Sequence, residues 1–345
     1  MENRNVSPDS PEQFAKFTHF LLRQFSNVRP LAKEDINLSG RTFIVTGANA
    51  GIGFEVSKQL LDLGLSKLII ACRNETKAVT AKTLLLATRG EDIEIETWSL
   101  DLLSYNSITA FADRCKTLDR LDAAILNAGV SNEVLVKTPD TGIEEMFQVN
   151  YISITLLCLL LLPVLQAKGS PENPGRLVMV TSDMAAWVKP PLNEEQPIMP
   201  QFKNPIKFDR PTQYSVSKLF GQLFISELAR QVPSASAIIR IANPGLCRAT
   251  GMAADSQTFS GHTLFYLTRM LGKDPSVGAI SLISAATVDW GLEAHDKLID
   301  CNKLAPLAPI VYTKEGRKLA NDLWEETLDE LSFASVRDII TALEK

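Results

Sequence analysis

From residue 40 onward, short apolar runs alternate along the chain with segments whose apolar residues recur at helical spacing. The runs are rich in β-branched residues and too short for helices, so we predict that they are buried strands. These strands cover residues 42–46, 68–71, 93–98, 121–126, 177–180 and 237–242. Segments such as 54–63 and 76–87 are predicted helices between them. The alternation predicts an α/β fold, a doubly wound parallel sheet (Rossmann fold) with helices on both faces.

The first 39 residues have a different pattern. Large apolar residues recur there at approximately helical spacing, which predicts a short amphipathic helix. They are Phe14, Phe17, Phe20, Leu21, Leu22 and Phe25. This helix either caps the main domain or docks on a membrane surface or a partner, although only Lys16 and Arg23 give it positive charge. We therefore predict an N-terminal helical extension over residues 1–39 and one domain over residues 40–345 that ends in a C-terminal helix.

Composition narrows the class of protein. The 345 residues are 45% hydrophobic and 22% charged, which is an ordinary globular composition. A formal net charge of −5 without a long basic run excludes an electrostatic footprint for nucleic acid. The five cysteines are scattered without a CxxC pair, so free thiols in a reducing compartment are expected. The three histidines are not at metal-ligand spacing, and we predict no metal site.

The most apolar stretch, residues 152–165, is interrupted by Pro163 and is shorter than the ~20 residues that a membrane span needs. A buried core helix is the better prediction, with no transmembrane span. The N-terminus is polar and lacks the apolar centre of a secretory signal. We expect a cytoplasmic protein, with peripheral membrane association through the N-terminal helix as the alternative.

A glycine-rich turn, TGANAGIG at residues 46–53, joins the first predicted strand to a helix. Glycines at this position allow the backbone to approach a pyrophosphate, while the first helix amides face the phosphates. The alternative is a turn with a purely structural role. The predicted cofactor contacts of the turn are Gly47, Asn49, Gly51, Ile52 and Gly53.

Arg73 follows the second predicted strand, 20 residues after Gly53. A carboxylate at this distance would bind the ribose of NAD, whereas an arginine accepts the 2′-phosphate of NADP. A guanidinium attracts a phosphate that a carboxylate would repel. We therefore favour NADP(H) over NAD(H) as the cofactor, the alternative being a solvated surface arginine.

Further polar motifs follow the later strands in order. They are Asp101 and Leu102 in SLDL; Asn127, Ala128 and Gly129 in NAG; Asn150 in VNY; Ser182 after the fifth strand; Tyr214 and Lys218 in YxxxK; and Pro244 and Gly245 after the sixth strand. Together with the TGxxxGxG spacing, this series over residues 40–245 resembles the short-chain dehydrogenase/reductase family. Residues 315–327 resemble the C-terminal helix of its retinol-dehydrogenase-like branch and the fungal relatives of that branch.

The resemblance implies roles for these residues. In the family, the aspartate lies near the adenine, the NAG motif lies beside the cofactor, the lysine binds the nicotinamide ribose, and the asparagine supports a water relay. It implies a catalytic set of Asn150, Ser182, Tyr214 and Lys218. Family dimers often pack the helix at residues 152–165 and the YxxxK helix against their mates. The composition of the first helix is compatible with such a homodimer, and the alternative is a fully buried helix of a monomer, which would look identical in sequence.

The residue types also fit the chemistry. Tyr214 and Lys218 are four residues apart and share a helix face. A neighbouring ammonium is expected to lower the pKa of the phenol toward neutral pH, so that Tyr214 can exchange a proton with a carbonyl or alcohol oxygen. Ser182 is expected to hydrogen-bond that same oxygen.

Three features depart from the family pattern or lie around the substrate. Alanine stands where the family's PGxxxT motif has threonine, and Thr250 follows one position later, so either Thr250 or a backbone group makes that contact. Ser182 and Tyr214 are 32 positions apart, and the proline-rich stretch between them is predicted to form part of the substrate pocket, or else an insertion on the surface. Residues 252–271 are rich in large apolar side chains; the resemblance implies that this segment closes over the substrate, and the alternative is that these side chains belong to the core.

These observations predict an NADP(H)-dependent oxidoreductase that interconverts a small lipophilic carbonyl and its alcohol, with reduction as the favoured direction, in secondary or lipid-like metabolism. One alternative is a catalytically silent NADP-binding sensor or scaffold, which predicts loss of the tyrosine or lysine; both are present. The other is a non-redox member of the family that catalyses epimerisation or cyclisation.

Overall fold

The computed structural model describes residues 9–344 apart from residues 88, 90–92, 171–172, 194 and 249–268. Eight strands form a single sheet in the order β3-β2-β1-β4-β5-β6-β7-β8, and every neighbouring pair is parallel except β7 and β8. The strands are β1 (Thr42–Thr46), β2 (Lys67–Cys72), β3 (Glu94–Ser99), β4 (Ala123–Leu126), β5 (Arg176–Val180), β6 (Ile238–Asn243), β7 (Leu298–Asp300) and β8 (Lys303–Ala305).

Helices cover both faces of this sheet. They are α1 (Pro11–Phe14), α2 (Phe17–Gln24), α3 (Gly51–Asp62), α4 (Glu75–Leu86), α5 (Tyr105–Cys115), α6 (Glu145–Phe147), α7 (Ile154–Lys168), α8 (Ile198–Lys203), α9 (Arg210–Gln231), α10 (Pro275–Thr287), α11 (Lys314–Glu330) and α12 (Val336–Leu343). Short 3-10 helices lie at Asp183–Ala186, Leu292–Ala294, Pro309–Tyr312 and Ser332–Ala334, and a π-helical turn lies at Gln148–Ser153.

The prediction of a doubly wound α/β fold is confirmed. Helices α3, α4 and α10 pack in one apolar core, and α5, α7, α9, α11 and α12 pack in the core on the other face. The six predicted strands are all present, with ends shifted by at most two residues. Strands β7 and β8 were not predicted, because runs of three residues each carry too little periodicity to be recognised.

Side-chain caps determine where several helices begin. The Asn74 side chain accepts a hydrogen bond from the Lys77 amide at the start of α4, and the Asp209 side chain accepts one from the Thr212 amide at the start of α9. Such caps satisfy amides that have no partner within the helix. Helix α3 begins at Gly51 without a side-chain cap. Its first amides therefore remain available at the carboxyl end of β1.

The prediction for the most apolar stretch is confirmed in its main point. The helical run Glu145–Lys168 is long and apolar enough to cross a membrane, yet 89% of its most apolar window is buried inside the protein. This burial is typical of a core helix. Pro163 lies within α7 and does not end it.

The C-terminal helices cover the two helices expected at a family dimer interface. Helix α12 packs against α7, and α11 packs against α9, where the rings of Phe224 and Trp324 stack at 4.9 Å. The Tyr151 hydroxyl, in the turn before α7, lies 2.6 Å from the Thr327 hydroxyl of α11. The homodimer therefore stays a prediction, and these intramolecular contacts occupy part of the surface through which it was expected.

The N-terminal extension forms two short helices on the main domain. Phe14 and Phe20 are buried against it, whereas Phe17, Leu22 and Phe25 are exposed. The amphipathic helix is thus present, and it does cap the main domain. Docking to a membrane or partner stays a prediction.

Candidate active site

The glycine turn lies at the carboxyl end of β1, beside β4, where the order of the strands reverses. Open α/β sheets bind their ligands at this point. Gly47 and Gly51 have φ of 65° and 56°, which glycine adopts at little cost. A Cβ on Gly53 would lie 2.5 Å from the Gly47 carbonyl oxygen, so only glycine fits there. Asn49 and Ile52 are partly buried in the same turn.

The NAG motif holds this turn from the neighbouring strand. The Asn127 side chain donates a hydrogen bond to the Thr46 carbonyl at 3.0 Å, and the Ala128 amide donates to the Thr46 hydroxyl at 2.9 Å. A Cβ on Gly129 would lie 3.0 Å from Asn150 Oδ1 and 3.5 Å from Lys218 Nζ. Gly129 therefore connects the glycine turn to the predicted catalytic set.

The remaining cofactor candidates lie at the ends of β2 and β3. Arg73 is exposed directly after β2, at the same sheet edge as the glycine turn. Asp101 Oδ1 accepts a hydrogen bond from the Leu103 amide at 3.0 Å. The Leu102 carbonyl accepts one from the Ser153 hydroxyl at 2.6 Å. These contacts fix the backbone after β3 against the turn that carries Asn150.

Asn150 occupies the π-helical turn before α7 and is buried. Its side chain accepts a hydrogen bond from the Val130 amide at 2.8 Å and donates one to the Val130 carbonyl at 2.9 Å. A π-turn adds one residue to a helical turn and often occurs at functional sites. This turn could not be predicted from the sequence, since it lies within a continuous apolar helix pattern.

Ser182 and Tyr214 meet across the 32-residue interval that separates them. Ser182 follows β5, and its hydroxyl caps the 3-10 helix Asp183–Ala186. The same hydroxyl is hydrogen-bonded to the phenol of Tyr214, which lies on the first turns of α9. Both residues are partly buried. The structure thus brings together the two side chains that are expected to hydrogen-bond the same substrate oxygen.

Lys218 lies one turn after Tyr214 and is buried. Its Nζ lies 5.9 Å from the centroid of the Tyr214 ring and donates a hydrogen bond to the Val180 carbonyl at 3.1 Å. Burial lowers the pKa of this ammonium to about 8. The lysine thus shares the cleft with the tyrosine, as its spacing predicted.

The expected effect of Lys218 on the phenol is wrong for this structure. Burial raises the pKa of Tyr214 above its usual value, and the hydrogen bond with Ser182 and the positive charge of Arg210 only partly oppose it. The negative charge of Asp183 raises the pKa further. The spacing of YxxxK showed that the two side chains share a face, but it contained no information about the cost of burying the phenolate.

The loop after β6 is held by the N-terminal extension. Pro244 is buried, and Gly245 has φ of 70°. The Gln24 side chain donates hydrogen bonds to the Leu246 carbonyl at 2.7 Å and the Leu271 carbonyl at 2.8 Å, and accepts one from the Leu246 amide at 3.2 Å. Thr250 lies outside the described residues, as does most of the predicted closing segment, residues 252–271.

Part of the long interval between Ser182 and Tyr214 packs into the main domain. Met199 and Phe202 are buried in the apolar core, and the Glu326 carboxylate of α11 accepts hydrogen bonds from the Ile198 and Met199 amides at 2.7 and 2.8 Å. This part is an insertion packed on the main domain, which was the alternative interpretation. Trp187, five residues after Ser182, is 43% exposed and remains beside the cleft.

Sequence reasoning missed an ion cluster beside Ser182. Arg23 of α2 contacts the carboxylates of Asp183, the residue after Ser182, and of Asp300, the last residue of β7. Three segments that are far apart along the chain meet here. Only the proximity of Asp183 to Ser182 was visible in the sequence.

The residues at this edge fit a nicotinamide dinucleotide. The uncapped start of α3 offers amides for a pyrophosphate, and the space in front of Gly53 is one that a Cβ would fill. Gly129 of the neighbouring NAG motif lies beside both Asn150 and Lys218. The arrangement can hold the phosphates at one end and exchange a proton at the Ser182–Tyr214 pair at the other.

Comparison with known proteins agrees with this arrangement. The family model for short chain dehydrogenase matches residues 41–191. The chain is 41% identical to the short-chain dehydrogenase fogG of Aspergillus ruber over 99% of each chain. It is 38% identical to the short chain dehydrogenase/reductase mfmJ of Annulohypoxylon moriforme over 94% of each chain.

Solved structures share the fold at lower identity. A protein from Mycobacterium paratuberculosis is 24% identical with a TM-score of 0.61, over 87% of this chain and 97% of that one. The Pseudomonas aeruginosa RhlG/NADP active-site complex is 23% identical with a TM-score of 0.58, over 76% of this chain and 95% of that one. The sheet, the motifs in their order and the full-length identity to fungal relatives lead to one conclusion: the chain belongs to the short-chain dehydrogenase family.

Proposed function

We propose that the protein is an NADP(H)-dependent oxidoreductase that reduces a small lipophilic ketone or aldehyde to its alcohol. The observation that carries the proposal is the hydrogen-bonded pair of Ser182 and Tyr214, which lies beside Lys218 and Asn150 at the same sheet edge as the glycine turn. A nicotinamide cofactor, when bound, supplies the hydride. The protein supplies orientation and the proton.

Each residue of the set has a distinct task in this proposal. Ser182 and Tyr214 both hydrogen-bond the substrate oxygen, and Tyr214 gives it a proton as negative charge develops there. The raised pKa of Tyr214 keeps the phenol protonated at neutral pH, which suits a proton donor in the direction of reduction. Lys218 and Asn150 hold the nicotinamide ribose and the path by which the phenol recovers its proton.

Arg73 supports the choice of NADP(H). Its exposed guanidinium follows β2, and the 2′-phosphate of NADP(H) carries the charge that such a group binds. NADP complexes also occur among proteins of this fold, including the RhlG complex and a short chain dehydrogenase from Shigella flexneri that is 21% identical.

The lipophilic substrate class rests on the apolar surroundings of Ser182. The rings of Phe17 and Trp187, 6.1 Å apart, are both partly open to solvent on this side of the molecule. A role in secondary or lipid-like metabolism is part of this proposal. We further propose a cytoplasmic location.

The test is consumption of NADPH with a panel of aromatic ketones and aliphatic aldehydes, measured for the wild type and for Tyr214→Phe. Loss of the proton donor is expected to lower kcat by about 10²- to 10⁴-fold while NADPH affinity stays within about twofold. Tyr312→Phe is the matched control, because that hydroxyl only accepts a hydrogen bond from the Leu307 amide, away from the cleft. Equal turnover by wild type and Tyr214→Phe would contradict the assignment.

A further inference from the structure

Arg23 is the residue of the N-terminal extension that enters the ion cluster beside Ser182. Its guanidinium lies 2.7 Å from Asp183 Oδ1 and 2.8 Å from Asp300 Oδ2, and it donates a third contact to the Phe14 carbonyl at 2.9 Å. The Phe14 ring packs on the guanidinium at 3.6 Å. The arginine side chain is only 17% exposed, and the two carboxylates are more deeply buried. A guanidinium held on every side in this way has little freedom to move.

The carboxylate that Arg23 contacts belongs to the catalytic segment. Asp183 follows Ser182 directly and is the first residue of the 3-10 helix that the Ser182 hydroxyl caps. Any movement of Asp183 therefore moves Ser182, which is hydrogen-bonded to Tyr214. Asp300 anchors the other side of the guanidinium to the end of β7, which pairs with β6 in the central sheet.

Gln24, the next residue of α2, makes an independent contact on the same side of the cleft. Its side chain forms hydrogen bonds with the backbone of Leu246 and with that of Leu271. Along the chain, these two residues lie on either side of the segment 249–268. The extension thus contacts both the segment that carries Ser182 and the loop after β6. A cap with a merely protective role would not need buried ionic and amide contacts at these two places.

The charges around Tyr214 make the position of Arg23 important. Among the described residues, Arg210 and Asp183 act on the phenol, and Lys218 lies near its ring. Arg23 contacts both Asp183 and Asp300. Lys273 and Cys301 lie next to Asp300. Arg23 is the cation in direct contact with both carboxylates. Without it, two buried carboxylates would face each other with less compensation.

We propose that Arg23 is a positioning residue for the active site, which holds Asp183 and thereby Ser182 in place and neutralises the carboxylate nearest to Tyr214. This proposal rests on the proposed function, because it assigns a further residue to the same reaction. It gives the N-terminal extension a catalytic purpose. The extension is then part of the active site and not a separate module.

The sign of the expected pH effect follows from the charges. The negative charge of Asp183 raises the pKa of Tyr214, and Arg23 offsets that charge. Removal of the guanidinium therefore raises the pKa of Tyr214 further. In reduction, activity falls as the phenol loses its proton, so the alkaline limb of the pH profile moves to higher pH. Replacing Asp183 with a neutral residue as well removes the negative charge that raises the pKa of Tyr214. The alkaline limb then moves back toward lower pH.

The experiment compares Arg23→Gln, Arg23→Lys and Arg23→Gln/Asp183→Asn in the full chain, with the fastest ketone of the panel and a range of NADPH concentrations up to saturation. For Arg23→Gln we expect kcat to fall about tenfold, because Ser182 is no longer held, with KM for NADPH within about twofold. Its alkaline limb is expected to move up by about half a pH unit or more. Arg23→Lys should restore part of the lost kcat and part of the shift in the alkaline limb. The double variant should return the limb toward its wild-type position.

Arg29→Gln is the matched control, since Arg29 is an exposed arginine of the same extension. It is expected to leave kcat and the pH profile unchanged. A merely structural Arg23 would give lower thermal stability with an unshifted limb in every variant, and that result would overturn the proposal. If Arg23→Gln does not fold, the alkaline limbs of Arg23→Lys and of the double variant are compared instead. The proposal predicts that they differ, and equal limbs would overturn it.

A readout without turnover separates this proposal from the proposed function. The near-ultraviolet phenolate signal of Tyr214 is obtained as the difference between each protein and its Tyr214→Phe counterpart at about pH 10, near the usual tyrosine pKa. Less phenolate in Arg23→Gln than in wild type supports the role of Arg23 even if no ketone is reduced. An unchanged phenolate fraction contradicts it even if the enzyme reduces ketones well.

Discussion

The two sides of the cleft are built on different principles. On the cofactor side, Gly47, Gly53 and Asn127 lie against one another at the ends of β1 and β4, in contact through backbone atoms or the Asn127 side chain. On the substrate side, segments from the beginning, middle and end of the chain meet through charged side chains. The first side leaves no room for a larger residue. The second depends on long-range partners that must all be present.

This difference teaches which changes each side tolerates. A backbone cradle is defined by the absence of side chains, so any added atom disturbs every ligand that uses it. An ion cluster is defined by matched charges, so paired substitutions can preserve it while single ones cannot. The predictions below test the contrast, beginning with the cofactor side.

Gly53→Ala is expected to have the largest effect. The new Cβ would lie 2.5 Å from the Gly47 carbonyl oxygen and 2.6 Å from Asn127 Nδ2. Overpacking of this kind costs about 1–3 kcal/mol, which corresponds to roughly tenfold to hundredfold weaker binding of NADPH and NADH alike. Gly64→Ala, at φ of 89° and away from the cleft, should lose stability but keep its affinity. Unchanged binding by Gly53→Ala in isothermal titration would show that the cradle is not the binding site.

Arg73→Ala tests the same side through charge. Loss of a charged hydrogen-bond partner for the 2′-phosphate is expected to weaken NADPH binding about tenfold or more and to leave NADH binding unchanged. Lys77→Ala, at an exposed position in the first turns of α4, is the control and should change neither. An equal loss for NADPH and NADH would mean that Arg73 does not contact the phosphate.

Glu326→Ala tests whether the insertion between Ser182 and Tyr214 is structural. Its carboxylate holds the first amides of α8, so its removal should cost about 1–2 kcal/mol in the free energy of unfolding. The KM for the ketone is expected to stay within about twofold. Glu325→Ala, which removes an exposed partner of Arg337, should cost about 0.5 kcal/mol or less. A large rise in KM for Glu326→Ala would show instead that the insertion forms part of the substrate pocket.

The last prediction, for Asp300→Asn, concerns how stability depends on pH. Burial and the charge of Asp183 raise the pKa of Asp300 from 3.8 to about 6. The folded protein therefore holds a proton that the unfolded chain releases, so this contribution to stability is full below pH 3.8 and is lost as the pH rises through 6. Thermal unfolding of Asp300→Asn should lack this loss between pH 4 and pH 7, compared with wild type. The same pH dependence in both proteins would contradict the raised pKa.

The cofactor side could be predicted from the sequence because its residues are local. The glycine turn, Asn127 and the YxxxK pair each stand in a short motif at the end of a strand or on one helix face, and periodicity places those elements. The order of the motifs then places them on one sheet edge. For these residues, short-range spacing contains nearly all the necessary information.

The substrate side could not be predicted because its contacts join distant segments. Nothing in the spacing of Arg23, Asp183 and Asp300 indicates that they meet, and β7, which carries Asp300, was too short to recognise. Helix α8 was hidden within a proline-rich stretch that has the composition of a loop. The pKa of Tyr214 was predicted with the wrong sign because burial is a property of the packed structure.

The contact between α2 and β7 also has a consequence for how the chain matures on the ribosome. Arg23 is synthesised before Asp300, and at about 5–20 residues per second the interval between them is roughly 15–60 s. Until Asp300 is made, Arg23 lacks one of its two carboxylate partners. The ion cluster beside Ser182 is therefore completed only after the residues between Arg23 and Asp300 have been made.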